Sequence, residues 1–396
     1  MFQLFRREAA ICGLAMALFP ILLHAQQRDS TSFWGRSKFT GYAFGDYYYK
    51  AHSDTLSRGH ANQYTGIPQN ANAFQFRRIY LAYDMPLSNR FQAQLALAAE
   101  DATDVTQSGK YAFYIKLANL RWKNIWKGTD LLIGQQPTPA FALLAEPTWK
   151  YRAIERTIAD IRRTPAYDMG VGLQGKFDPQ TGHAGYDLMV GNGTGAKPTT
   201  SALKWFYGDV WLKLFQQHMI MDLYADYNRI VWQPGFHQSR NMWKLFVAYQ
   251  STSPDGHPGS FAIGAEAFVN FLQNGMTLTT FNNTADTVNQ QARGISIFIR
   301  GNLLPEKLGY FIRMDQYDPA HGNSFSSPVS GLVANYDPQN TERFITTGLD
   351  FTPIPQVHLM PNIWYNQYTS KNTTWKGKMH RDDDLVYRIT FYYLFK

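Results

Sequence analysis

Cysteine is nearly missing from this 396-residue chain; the single one is Cys12. It sits in an N-terminal segment that reads as a secretory signal. Arg6 and Arg7 supply a short basic region, and Ala9 to Leu23 an apolar run too short for a spanning helix. Leu23-His24-Ala25 ends on a small residue, so cleavage is expected after Ala25, leaving residues 26–396 as the mature chain. That chain has no disulfide to stabilise it after export. Losing two Arg and one Glu takes the net charge from +8 to +7. A pI near 9.3 brings nucleic acid to mind, but an exported chain does not meet it.

Other absences narrow the chemistry. No later stretch approaches the ~18 apolar residues of a membrane helix. No Pro/Ser-rich linker or shift in composition divides the mature chain. The ten histidines show no ligand spacing. There is no Gly-x-Ser-x-Gly elbow, and paired carboxylates for glycoside hydrolysis are not nominated by any pattern. Gly191-Asn192-Gly193-Thr194-Gly195 lacks the Lys-Ser/Thr and helix of a phosphate-cradling loop. Asp382-Asp383-Asp384 reads as a solvated charge run, with a divalent cation or a bridge to lipopolysaccharide as the functional alternative. No cofactor and no catalytic residue is implied.

What the chain does have is aromatics, 15% of its residues, and strict alternation. In the last segment Leu385, Tyr387, Ile389, Phe391, Tyr393 and Phe395 point one way, against Val386, Arg388, Thr390, Tyr392 and Leu394. Side chains on a strand alternate faces, so one face is wholly apolar and the other carries a charge and a hydroxyl. The pattern recurs at Phe91–Glu100, Met169–Lys176, Met242–Tyr249, Ile295–Arg300 and Tyr310–Asp315. About sixteen strands are expected, near 38–49, 73–84, 90–100, 111–122, 129–136, 168–177, 184–191, 203–214, 218–229, 241–250, 260–271, 292–301, 309–317, 343–351, 356–367 and 385–395.

Connections alternate long and short. The long ones are 50–72, 137–167, 230–240, 272–291, 318–342 and 368–384, and the short ones include 85–89, 178–182, 302–307 and 352–355. Outer-membrane barrels sort their loops this way, with short periplasmic turns and an even number of strands. A soluble sandwich has no reason to. The expected fold is therefore all-β: a transmembrane antiparallel β-barrel in the bacterial outer membrane.

Residues 131–177 interrupt the meander. Leu131-Leu132-Ile133-Gly134-Gln135-Gln136 runs into Pro137-Thr138-Pro139, and a charged segment with short helix-like runs follows. Asp168-Met169-Gly170-Val171-Gly172-Leu173-Gln174-Gly175 then resumes the strands. This order resembles the phosphate-selective porins O and P, as do Phe76-Arg77-Arg78, Arg313-Met314-Asp315, Gly348-Leu349-Asp350-Phe351 and His358-Leu359-Met360-Pro361. The resemblance covers most of the mature chain through short motifs. It implies a sixteen-stranded, trimeric barrel among outer-membrane lipids that conducts small anions, with loop 137–167 folded into the lumen as a constriction. One departure is Lys396 after Phe395, which the barrel-assembly machinery would have to tolerate.

The residues themselves give anion preference a narrow basis. Inward basic residues (Arg78, Lys116, Lys176, Lys213, Lys244, Arg300, Arg313, Arg388) nearly cancel inward acids (Asp84, Glu100, Asp187, Asp209, Asp222, Asp226, Glu266, Asp315, Asp350). The loop holds five cations, Lys150, Arg152, Arg156, Arg162 and Arg163, against Glu146, Glu155 and Asp160. Charged rings at the narrowest point set pore selectivity, and Arg and Lys there favour anions. Equally, Arg156 paired with Glu155 or Asp160 would only hold the loop on the wall. The reading is a passive porin for small hydrophilic solutes. Its rivals are an outer-membrane barrel enzyme and a soluble secreted glycan-binding protein.

Overall fold

A computed structural model describes residues 36–59, 62–100, 110–162, 164–251, 259–279, 285–322, 329–331, 338–371 and 381–395. The expected signal, residues 1–25, lies outside them, as do Arg163 and Lys396. The strands are β1 Lys38–His52, β2 Asn72–Pro86, β3 Phe91–Glu100, β4 Tyr114–Trp126, β5 Thr129–Pro137, β6 Tyr167–Lys176, β7 Ala184–Gly191 and β8 Trp205–Leu214. They continue with β9 Met219–Gln233, β10 Phe236–Gln250, β11 Phe261–Thr279, β12 Ala285–Leu304, β13 Leu308–Asp318, β14 Val329–Gly331, β15 Asn340–Ile354, β16 Val357–Ser370 and β17 Arg381–Phe395. Sixteen of these build a closed antiparallel barrel. β14 is a three-residue addition paired with the upper end of β11.

Closure is made by β1, which pairs β2 on one side and β17 on the other. Closing the sheet removes the unpaired edges that lipid would not tolerate. Alternation sets the two faces. On β12, Ile295 and Ile297 are exposed while Ser296 and Phe298 are buried. On β17, Tyr387 and Ile389 are exposed while Val386, Arg388 and Thr390 are buried. Exposed Leu95, Val171, Leu223, Leu245, Ile263 and Ile312 continue the apolar band round the barrel. Aromatic pairs such as Phe39–Phe395 and Tyr249–Phe261 lie towards its short-turn end. An apolar outside around a polar inside is the pattern of a barrel that spans lipid. No helix among the described residues is long and apolar enough to cross a membrane.

Each of the sixteen expected strands is present, but several run longer. The expected connection 230–240 is mostly strand: β9 and β10 continue to a two-residue turn, Pro234-Gly235. Proline presets the first turn position and Gly235, at φ +83°, takes the left-handed second one. Much of 272–291 is likewise strand, belonging to β11 and β12.

Candidate functional site

The interior is occupied by the segment between β5 and β6. It carries two short helices, α1 (Ala145–Trp149) and α2 (Ile158–Ile161). Its apolar side chains, among them Phe141, Trp149, Ile154 and Ile158, are fully buried against inward residues Phe246, Phe268, Phe298 and Phe311. Trp149 packs 5.2 Å from the Phe298 ring, and Tyr151 lies 4.5 Å from that of Phe311. The segment therefore has its own apolar attachment to one side of the inner wall.

Polar contacts complete that attachment. Arg300 Nε donates to the Thr148 carbonyl (2.7 Å), Arg388 to that of Ile154 (3.1 Å) and Arg313 to that of Arg156 (2.5 Å), while Arg77 donates to that of Ala153. Four wall guanidiniums thus satisfy loop carbonyls that have no helical partner. In return Glu266 accepts from the Ala159 amide (2.9 Å), and Glu155 accepts from Trp364 Nε1 (2.9 Å). Burial alone would raise the Glu155 carboxyl. Arg156, the Trp364 donor and Arg388 outweigh it and hold the group below the usual carboxylate range. Asp160 is held low in the same way, chiefly by Arg152 and Arg156 against burial.

The loop cations fall into different roles. Arg162 donates two parallel hydrogen bonds to the Glu342 carboxylate (3.0 and 3.2 Å) beneath the Tyr317 ring. Arg152 is partly buried between Glu146 and Asp160, the latter at 3.0 Å. Arg156 sits 3.8 Å from Asp160 and keeps 30% of its side chain exposed. Lys150 is exposed just after α1, at φ +70°. Arg163 lies outside the described residues.

Of the wall cations, Arg313 is paired with Asp315 (2.5 Å) and Lys244 with Asp222 (2.8 Å). Arg388 also donates to Asn362 (2.7 Å). Lys116 joins Glu100 and Tyr80 on the opposite wall. Lys176 is exposed at the short-turn mouth.

Arg78 is buried, and so is Arg77 beside it. Strict alternation would place Arg77 against lipid. Instead the β1–β2 register skips it, so Phe44 faces Arg78 and Gly45 faces Phe76. A bulge of this kind re-aims one side chain, and both arginines enter the lumen. Sequence reasoning counted only Arg78. The available signal was the cost of an arginine on a lipid-facing position.

The consequence is a recess of about 40 Å³ lined by Arg77, Arg78, Arg152 and Arg156, with Glu155, Asn62, Gln63 and Ile161. Glu155 is the one carboxylate in that lining, while Asp46 behind Arg77 (2.5 Å) and Glu146 and Asp160 behind Arg152 and Arg156 pair the guanidiniums from outside it. Below the loop, towards the short turns, a larger cavity of about 610 Å³ includes Lys150, Glu146 and His358 in its lining. On the far wall a third, of about 260 Å³, is lined by Gln92, Gln94, Asn119, Arg121, Gln174 and Asp187. There Arg121 bridges Asp130 and Gln174, and Gln174 donates to Asp187 (2.9 Å).

No protein-family model and no curated protein matches the sequence. Solved structures do match in shape. The outer membrane channel DcaP of Acinetobacter baumannii aligns over 91% of this chain and 97% of its own, with TM-score 0.61 and 11% identity. The fold is a porin fold. An anion-selective porin from Comamonas acidovorans aligns over 91% and 99%, with TM-score 0.56 and 9% identity. The outer membrane protein OmpT of Vibrio cholerae, in its trimer form, covers 91% and 99%, with TM-score 0.54 and 12% identity.

Proposed function

We propose that this chain is an outer-membrane porin through which small hydrophilic solutes diffuse passively, with a preference for anions, phosphate-like ones included. Support for the pore is the closed barrel with a lipid-compatible outside and a polar inside. The single observation that carries the anion preference is the convergence of Arg77, Arg78, Arg152 and Arg156 on one recess. Loop 137–167 acts as the constriction. It occupies one side of the lumen, so solutes pass beside it, along the wall that bears Arg78, Lys116 and Arg121.

The mechanism needs no bond-making step. A dissolved anion sheds little of its hydration and is drawn by guanidiniums held in a low-dielectric wall, where their field is least screened. Arg156 and Lys150 are the exposed loop cations that meet it. Arg162, Arg313 and Arg388 hold the loop in place instead. Trimerisation, folding by the barrel-assembly machinery and contact with lipopolysaccharide belong to the same reading, as does removal of residues 1–25.

The test is a bilayer recording in a KCl gradient. Wild-type channels should reverse on the chloride side. Arg156→Glu with Lys150→Glu should move the reversal potential towards potassium, most at low salt, where the Debye length grows from ~8 Å towards ~30 Å. An unmoved potential in a folded double variant would sink the anion assignment.

A further inference from the structure

Of the run Asp382-Asp383-Asp384, the structure turns Asp384 inward, where it meets Lys50 (2.5 Å) and the Asp54 amide (2.9 Å). Asp382 and Asp383 instead join His52 at the seam where β1 and β17 close the barrel. The β1–β17 register shifts between Lys50 and His52, an irregularity that redirects the histidine ring. His52 Nδ1 then lies 3.7 Å from Asp382 Oδ1 and 3.5 Å from Asp383 Oδ2. Among the described residues this is the sole group of three such side chains whose ligand atoms lie within 4.8 Å of one another.

Those separations are too long for hydrogen bonds. They are close to the ~3.4 Å between two ligands on one tetrahedral zinc, given bonds of ~2.0–2.2 Å. Asp382 is pre-aimed from outside the group, because the Thr55 amide (2.9 Å) and hydroxyl (2.8 Å) both donate to its other oxygen, Oδ2. Orienting donors of this kind accompany metal-ligating carboxylates. The three side chains keep 42, 14 and 29% exposure, which leaves room for water to complete a coordination shell.

We propose that His52, Asp382 and Asp383 form a site for a borderline-soft divalent cation of the zinc class, on the long-loop end of the barrel. One imidazole with two carboxylates suits zinc, nickel or copper better than calcium or magnesium, which take all-oxygen shells. On binding, the Nδ1–H bond to the Asp383 carbonyl (2.7 Å) is exchanged for a metal bond and the proton leaves to solvent. The ion joins the first strand, the last strand and, through Thr55, the connection that follows β1. It therefore staples the barrel where its sheet closes, independently of which solute the pore passes.

The experiment is a Zn²⁺ titration of the folded, detergent-purified protein by calorimetry, with Ca²⁺ as competitor. The expected result is one saturable Zn²⁺ per chain, weakened more than about tenfold in His52→Gln and in Asp383→Asn. His218→Gln should bind as wild type does, excess Ca²⁺ should not displace Zn²⁺, and bound Zn²⁺ should raise the temperature at which the barrel unfolds. Folding of each variant is checked by its heat-modifiable gel migration. Should a variant fail to fold, the visible spectrum of wild type with Co²⁺ decides, an intense tetrahedral band supporting the site and a pale octahedral one overturning it. Absence of saturable binding, affinity unchanged in folded His52→Gln, or displacement by Ca²⁺ would also overturn it.

Discussion

At the scale of single residues, the barrel separates cations by what they face. Arg300, Arg313, Arg388 and Arg77 end on loop carbonyls, whereas Arg156 and Lys150 keep exposed surface. The carboxyls Glu155 and Asp160 tie the two groups together, and their depressed pKa values make the attachment sensitive to acid. Unfolded glutamate and aspartate titrate near ~4.3 and ~3.9. Because both folded values are lower, the stabilisation is fully present above that range and is lost as pH falls through the folded values. Open-channel noise should therefore be flat down to about pH 5 and grow below about pH 4. In Asp160→Asn the noise should already be raised at neutral pH and change less with acid. A second residue-scale expectation concerns lipid. Ile297, exposed on the outer face, should cost about 2–4 kcal/mol of barrel stability when replaced by Arg. Urea unfolding in lipid vesicles measures it, and a negligible loss would mean that the strand faces are reversed.

At the scale of elements, periodicity located every barrel strand and its faces, because alternation is a local property of the chain. Its failures were local too. At Arg77 and at His52 a register shift breaks the period of two, and only the partner strand reveals it. Over 230–240 and 272–291 the sequence no longer alternates apolar with polar residues, so these strand ends resembled loops. The loop 137–167 was legible as an interruption carrying charge, but not its attachment. Which cation meets which carbonyl depends on side chains up to 234 residues away in sequence. Trp149 is the centre of that attachment, buried against Tyr151, Phe298 and Phe311. Trp149→Ala should remove about 3–5 kcal/mol of packing. Flickering closures should become more frequent while heat-modifiable migration persists. A quiet channel in this variant would mean that the arginine clamps alone hold the loop.

At the scale of the whole molecule, connection length sorts by parity except around β10, where the turn 234–235 and the connection 251–260 reverse it, and the barrel still has two unlike ends. The connection 192–204 belongs to one and 177–183 to the other. Cys12 is the one cysteine of the sequence and lies in the segment proposed to be removed, so Cys12→Ala or the processed chain is a clean background for cysteine labelling. A membrane-impermeant maleimide should label Thr200→Cys on intact cells and reach Gln180→Cys only after lysis. Labelling of Gln180→Cys on unbroken cells would invert the orientation. In the proposed function the molecule is a water-filled pore narrowed by its own loop. A single-channel recording of the purified protein, wild type and with residues 140–163 replaced by a short linker, tests this most directly. Long-lived openings proportional to KCl concentration, with a clearly larger conductance once the loop is gone, are the expected result. A wild-type protein that conducts nothing, or a loopless barrel with the same conductance as wild type, would contradict it.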